Sequence, residues 1–259
     1  MPTEINTASG SRYGELAPPA ALAPYVECCW WSEAGAAPGV RRVLPDGCVD
    51  ILFSSGNHEP PALSVVGLMT VHRDVITLPN QSFFGLRFRP GMASLFFPEV
   101  AHLTDKVEPL CELRRQHTTE LFEQLTESTS LPAKVIAVER YLHRPAKKRP
   151  SASRAFDLMT NTDFCMERIS ASAGISTRHL RRLSLASTGV SPKLLARILR
   201  FRRAASRISP AAVDRNQGGW AGFAVECGYY DQAHLIREFQ AFSGSAPGRF
   251  LQYQANNAS

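Results

Sequence analysis

No apolar run in the 259 residues approaches the roughly 20 needed to cross a bilayer as a helix, so no membrane span is expected. Met1 to Tyr13 is polar and carries Glu4. It lacks the basic start and apolar centre of a secretory signal, and the expected location is cytoplasmic. The six cysteines, at 28, 29, 48, 111, 165 and 227, form no C-x-x-C pair, and a cytosolic chain of this length needs no disulfide scaffold. Cys28 and Cys29 are adjacent, so on a strand they point to opposite faces and cannot easily share a metal. Thiols that pack as small apolar groups, and no metal, are the expectation. Also missing are a nucleophile elbow, an H-E-x-x-H pair, a phosphate loop and a dinucleotide fingerprint. Neither an enzyme nor a bound cofactor is expected.

What is present is enough chain for two domains, each able to bury a core, with 44% hydrophobic and 20% charged residues. The net charge of +6 conceals an asymmetry about the stretch RPAKKRPSAS, Arg144 to Ser153. Residues 1–144 hold 12 Lys+Arg and 16 Asp+Glu, a net −4, whereas residues 145–259 hold 17 and 7, a net +10. Two prolines and small polar residues between the halves read as a linker. The expected division is a first domain over 1–144, a linker over 145–153 and a basic second domain over 154–259. The basic half suits a polyanion, although a surface that merely keeps a domain soluble would carry the same charge.

Motifs decide between these readings. In MERISASAGISTRHLRRL, Met166 to Leu183, a short helix with Ile169 and Ala173 inward meets Gly174. Ser176 can then cap a second helix that buries Leu180 and Leu183. Glycine suits the junction because a left-handed conformation at a helix end costs it little. GWAGFAVECGYYDQAHLIREF, Gly219 to Phe239, repeats the logic, with Phe223, Ala224 and Cys227 inward, Gly228 at the turn and a cap near Asp231. Leu235, Phe239 and Phe242 then make an apolar stripe. Each is a helix-turn-helix pattern, and the polar residues after each glycine fall on the first turns of a recognition helix. These are Thr177, Arg178, Arg181 and Arg182 in the first unit, and Tyr230, Asp231, Gln232, His234 and Arg237 in the second. Arginine suits guanine or phosphate, and glutamine can bond adenine at two points.

Between the units, SPKLLARILRFRRAASRIS, Ser191 to Ser209, opens with a proline in its first turn and predicts one continuous helix. Leu195, Ile198, Leu199, Ala205 and Ile208 point inward. Arg197, Arg200, Arg203 and Arg207 point outward, to solvent or to phosphate.

GISTRHLRRL, TGVSP, RILRFRRA, CGYYDQAHLIREF and FSGSAPGRF occur in that order, and with them Ser153 to Gln252 resembles the AraC/XylS family of transcription regulators. The resemblance implies two helix-turn-helix subdomains joined by a helix, with both recognition helices in successive major grooves on one face of DNA. The chain departs from the family pattern at Ser184, where an aromatic is usual. There the first subdomain is expected to pack less well or to use Leu185 instead. It departs again over 209–219, SPAAVDRNQGG, which reads as a mobile polar loop.

In the first half, RRVLPDGCVDILFSSG, Arg41 to Gly56, turns at Pro45-Asp46-Gly47 before a β-rich run, and SFFGLRFRPG, Ser82 to Gly91, alternates with period two. Phe84, Leu86 and Phe88 would face one way, Arg87 and Arg89 the other. YVECCWW and LSVVGLM are two more short apolar runs, and PLCELRRQHTTELFEQL and LPAKVIAVERYL, from Pro109 to Leu142, look helical. The fold class is therefore α+β, a β-rich domain with helices followed by an all-α double helix-turn-helix domain. LPDGCVDILF and GLRFRPGMASLFF are similar to a sensor-like domain ahead of some regulators of this family, which implies an effector or interaction module. Asp46, Asp50, Arg87 and Arg89 are its candidate effector-binding residues; a turn aspartate and a solvated sheet face explain them as well. Trp30 and Trp31 are either the floor of a ligand site or core.

Double-stranded DNA is the expected partner, and RNA polymerase, a small-molecule effector and a second copy of the chain remain candidates. Two other readings stay open, a thiol-based DNA-repair protein with an attached DNA-binding domain and a nonspecific architectural binder. The acidic first half argues against the second of these.

Overall fold

The computed structural model describes residues 3–6, 10–57, 59–142, 152–161, 165–214 and 218–258. Among the described residues nine strands come first: β1 (Thr3–Asn6), β2 (Arg12–Leu16), β3 (Val26–Glu33), β4 (Gly39–Val43), β5 (Asp50–Ser55), β6 (Ala62–Val66), β7 (Arg73–Thr77), β8 (Ser82–Phe88) and β9 (Val107–Pro109). Helices follow: α1 (Leu110–Leu113), α2 (Thr118–Glu127), α3 (Leu131–Leu142), α4 (Ala152–Asn161), α5 (Met166–Ser172), α6 (Thr177–Thr188), α7 (Pro192–Arg207), α8 (Pro210–Asp214), α9 (Trp220–Glu226), α10 (Gln232–Ser243) and α11 (Pro247–Ala258). The α+β expectation holds. Among the described residues no helix is long and apolar enough to cross a membrane.

Seven strands form one antiparallel sheet in the order β1-β2-β3-β8-β5-β6-β9, and β4 and β7 pair as a separate ribbon. Alternation decides the faces, because a strand turns successive side chains to opposite sides. Phe84, Leu86 and Phe88 of β8 are buried and meet Phe53 and Ile51 across the β5 pairing. Phe122 of α2 lies edge-on to Phe53 at 6.3 Å, so the helices close this apolar face. The opposite face holds Arg87, paired in register with Asp50 on one side and Cys28 on the other. Glu27 is an extra residue between Val26 and Cys28, where the register slips. Such a bulge re-aims a side chain.

The helical stretch 109–142 breaks into three. Arg114 is extended and His117 is left-handed (φ 60°), so the first expected run is interrupted, while the extended Ser128 falls between the two expected runs. Of the expected linker, residues 145–151 lie outside the described residues, and 152–153 already belong to α4. The expected loop over 209–219 contains α8, with Val213 buried, while its residues 215–217 also lie outside the described residues.

Candidate nucleic-acid interface

The two helix-turn-helix units are built by the same local chemistry. In the first, α5 ends at Ala173, and Gly174 sits at φ 69°. The Gly174 N–H donates to the Ala171 carbonyl and the Ile175 N–H to that of Ser170, both at 3.0 Å. In the second, Cys227 ends α9, Gly228 sits at φ 84°, and the N–H groups of Gly228 and Tyr229 close onto Val225 and Ala224 at 3.0 and 2.9 Å. This pair of bonds is a Schellman closure, which satisfies the last carbonyls of a helix and needs a residue that tolerates positive φ. Ser176 then caps α6 by accepting from the His179 N–H at 3.1 Å. Asp231 caps α10 by accepting from that of His234 at 2.6 Å. The second turn has one residue more than the first between its glycine and its cap.

Leu180 on α6 and Leu235, Phe239 and Phe242 on α10 are buried. Thr177, Arg178, Arg181 and Arg182 are exposed on α6, as are Gln232 and Arg237 on α10, with Tyr230 88% exposed just before it. Asp231 is exposed but committed to its cap. His234 is half-buried inside the turn. The Tyr230 N–H approaches its Nδ1 at 3.4 Å, and an Arg200 nitrogen lies 3.5 Å from its Nε2. Burial and the Arg200 charge lower its pKa. It is a brace for the turn as well as part of the outer surface.

The arginines of α7 do not line a free phosphate-binding face. Arg197 reaches Glu238 of α10 at 2.8 Å and Arg200 reaches it at 3.6 Å, while the Arg200 guanidinium lies 4.9 Å over the Tyr229 ring. Arg203 donates to the Cys227 carbonyl at 3.1 Å, and Arg207 pairs with Glu226 at 2.7 Å. With Phe201 packed 5.1 Å from Phe239, these contacts fasten the second unit to α7, which at 16 residues is about 24 Å long. Ser184 also differs from expectation. It is fully buried and donates to the Val190 carbonyl at 2.8 Å, closing the end of α6, while Leu185 stays exposed and does not replace the missing aromatic.

The sheet domain holds both recognition helices at their C-terminal ends. Thr104 lies at the Thr188 carbonyl ending α6, and a Cβ on Gly189 would fall 2.2 Å from the Ala101 oxygen. At the end of α10, the Arg42 guanidinium donates to the Ser243 carbonyl at 3.1 Å, and the His72 N–H to that of Phe242 at 3.0 Å. Arg42 is oriented by a two-pronged pairing with Asp74. In the middle, the Asp46–Gly47 turn rests on Leu195 and Leu199 of α7. Arg202 reaches across to both oxygens of Glu27, at 3.0 and 2.5 Å. None of Glu27, Arg42, His72, Thr104 and Arg202 was singled out by sequence reading. The one signal was a lone carboxylate, Glu27, inside the apolar run YVECCWW.

Of the four residues expected at an effector site, three come together. Arg87 lies 3.0 Å from Asp46 and 3.5 Å from Asp50, with Glu15 at 3.9 Å. Arg89 is elsewhere, donating to the Ala23 carbonyl at 3.1 Å. Asp46 also makes its turn, accepting from the Cys48 N–H at 2.9 Å. Burial, with the nearby Asp46 and Glu27 charges, raises Asp50 to about 7 against the opposing pull of Arg87. Burial raises the Cys28 and Cys29 thiols to about 12 and that of Cys227 to about 11. These buried thiols are held protonated. Among the described residues no three His, Cys, Asp or Glu side chains gather as metal ligands.

Residues 169–253 match the family described as a helix-turn-helix domain. The C-terminal region is an AraC-type helix-turn-helix domain. A chain that carries the AraC-type domain behind a sheet domain is a DNA-binding transcription regulator. Residues 14–109 match a second family, a domain of unknown function (DUF6597). No curated protein matches the sequence. Solved structures similar to the chain include ToxT from Vibrio cholerae, at 10% identity and a TM-score of 0.40 over 83% of this chain and 97% of that one. Another is the unsaturated fatty acid bound wild-type ToxT, at 12% and 0.38 over 84% and 92%.

Proposed function

We propose that the chain reads a specific DNA site with α6 and α10 of its AraC-type domain, and that the sheet domain adjusts this reading through α7. Thr177, Arg178, Arg181 and Arg182 of the first unit, and Tyr230, Gln232 and Arg237 of the second, reach base edges or phosphates. The supporting observation is that both recognition helices turn exposed polar first turns outward while α7 and the sheet domain hold their buried faces and C-terminal ends. Any change in the sheet domain that moves the Asp46–Gly47 turn, Thr104 or Arg42 therefore alters where the two reading heads sit relative to each other. The Asp46, Asp50 and Arg87 cluster, next to the Glu27–Arg202 pair, is where such a change would act most directly on α7.

The test is a salt titration against the DNA upstream of the chain's own gene and a shuffled duplex of equal length. Preference for the native sequence by about a thousandfold or more at physiological salt supports base reading by two helices. Equal affinity for both duplexes, lost steeply with salt, is the mark of phosphate contact alone and overturns the proposal.

A further inference from the structure

Away from the DNA-binding surface, a groove of about 390 Å³ opens between the start of α2 and the end of α3. That volume lies within the range of small-molecule sites. Its floor is apolar and buried, made by Leu121, Ala137 and the Tyr141 ring. Its walls carry Arg114, His117 and Arg140, with Glu120 as their one carboxylate. Glu120 is already engaged, 3.4 Å from the His117 Nδ1 and accepting from the Gln124 amide at 3.2 Å. The Arg114 guanidinium lies 4.8 Å over the Tyr141 ring. Neither Arg114 nor Arg140 makes an ion pair among the described residues. Elsewhere in this half Arg12, Arg42 and Arg87 do pair with carboxylates.

The backbone adds to the positive character of the groove. His117 precedes α2 in the left-handed conformation at φ 60° and gives it no side-chain cap. The positive end of the α2 dipole therefore opens at the groove, and a non-glycine residue held at positive φ is strain of the kind concentrated at ligand sites. Two unpaired guanidiniums, an uncapped helix start and a buried aromatic floor ask for opposite things of a ligand, a negative charge at one end and apolar surface at the other.

We propose that the α2–α3 groove binds a small organic anion, a carboxylate or sulfonate on an apolar body, with Arg114 and Arg140 holding the charge and Leu121, Ala137 and Tyr141 covering the body. This does not depend on how the chain reads DNA. The probe is 8-anilino-1-naphthalenesulfonate, followed by fluorescence on the full chain. N-phenyl-1-naphthylamine, the same rings without the sulfonate, and inorganic phosphate, a charge without rings, serve as controls.

The expected result is saturable one-to-one binding of the sulfonate, at least tenfold tighter than that of the neutral amine and little affected by equimolar phosphate. Arg114→Ala and Arg140→Ala should each weaken it at least fivefold. Glu120→Gln should tighten it, which a purely structural role for Glu120 would not produce. Circular dichroism melts of each variant confirm that the fold is intact. Absence of saturable binding, equal binding of the neutral amine, displacement by equimolar phosphate, or unchanged affinity in folded Arg114→Ala and Arg140→Ala variants would each overturn the proposal.

Discussion

Arg202 of α7 spans the boundary between the two domains and closes on both carboxylate oxygens of Glu27, a residue that reaches it because β3 bulges at that position. The pair is about 30% exposed on each side, between a surface ion pair and a buried one, so its removal should cost an intermediate amount. Burial pushes Glu27 up, but hydrogen bonds and charge from Arg202 outweigh it, and the net shift is downward.

Arg202→Met should therefore destabilise the chain by about 1–3 kcal/mol at neutral pH, since it strands a partly buried carboxylate. A group whose folded pKa is depressed contributes above its unfolded value and loses that contribution as pH falls. The difference between the parent and the variant should thus narrow below about pH 4.5. Urea unfolding at pH 7 and pH 3.5 measures both; a gap that widens in acid would exclude this role for the pair.

Asp50 behaves in the opposite sense. Its folded value of about 7 lies above the ordinary 3.8, so the folded state holds a proton that the unfolded state has lost between those values. The Asp50 contribution to stability is complete below about pH 4 and disappears as pH rises through 7. Arg87, Asp46 and Glu27 face it and shape the curve. Asp50→Asn should flatten stability between pH 5 and 7.5, read as thermal midpoints across that range. An unchanged slope would place the titration elsewhere.

Arg181→Ala and Gln232→Ala should weaken operator binding by roughly 1–3 kcal/mol if each reads a base, with a smaller loss on shuffled DNA. Equal losses on both duplexes would reassign them to phosphate. Arg197→Ala is the contrasting case. Its partner in the fold is Glu238, so the variant should lower the stability of the second unit and leave the salt slope of binding unchanged.

Two glycines at positive φ separate backbone strain from domain contact. Gly174 faces open space, whereas a Cβ on Gly189 would strike the Ala101 carbonyl and Thr104. Gly174→Ala should cost about 1–2 kcal/mol, the left-handed penalty alone. Gly189→Ala should cost more and loosen the sheet domain from α6. Denaturant midpoints give the first comparison, and faster proteolysis near residues 101–104 in the Gly189 variant gives the second.

The parts legible in the sequence were those fixed by neighbours along the chain. Gly174 with Ser176, and Gly228 with Asp231, announce their turns because a helix end and a helix cap are settled within a few residues. Phe84, Leu86 and Phe88 reveal β8 because alternation is local. The four outward arginines of α7 were misread for the converse reason: the partner of Arg197 is 41 positions away, and no local pattern reports a long-range ion pair. The interruption at His117 was equally hidden, since apolar spacing continues across it. Ser184 escaped because its role is to bond a carbonyl six residues ahead, where an aromatic would have filled space.

The turn before α10 exceeds the turn before α6 by one residue. The two heads also differ in chemistry, one dominated by arginine and the other by tyrosine, glutamine and a single arginine. Unequal heads cannot exchange places on a duplex without loss. On the proposed reading, a single bound chain points one way along the double helix, and so distinguishes upstream from downstream before any second molecule arrives.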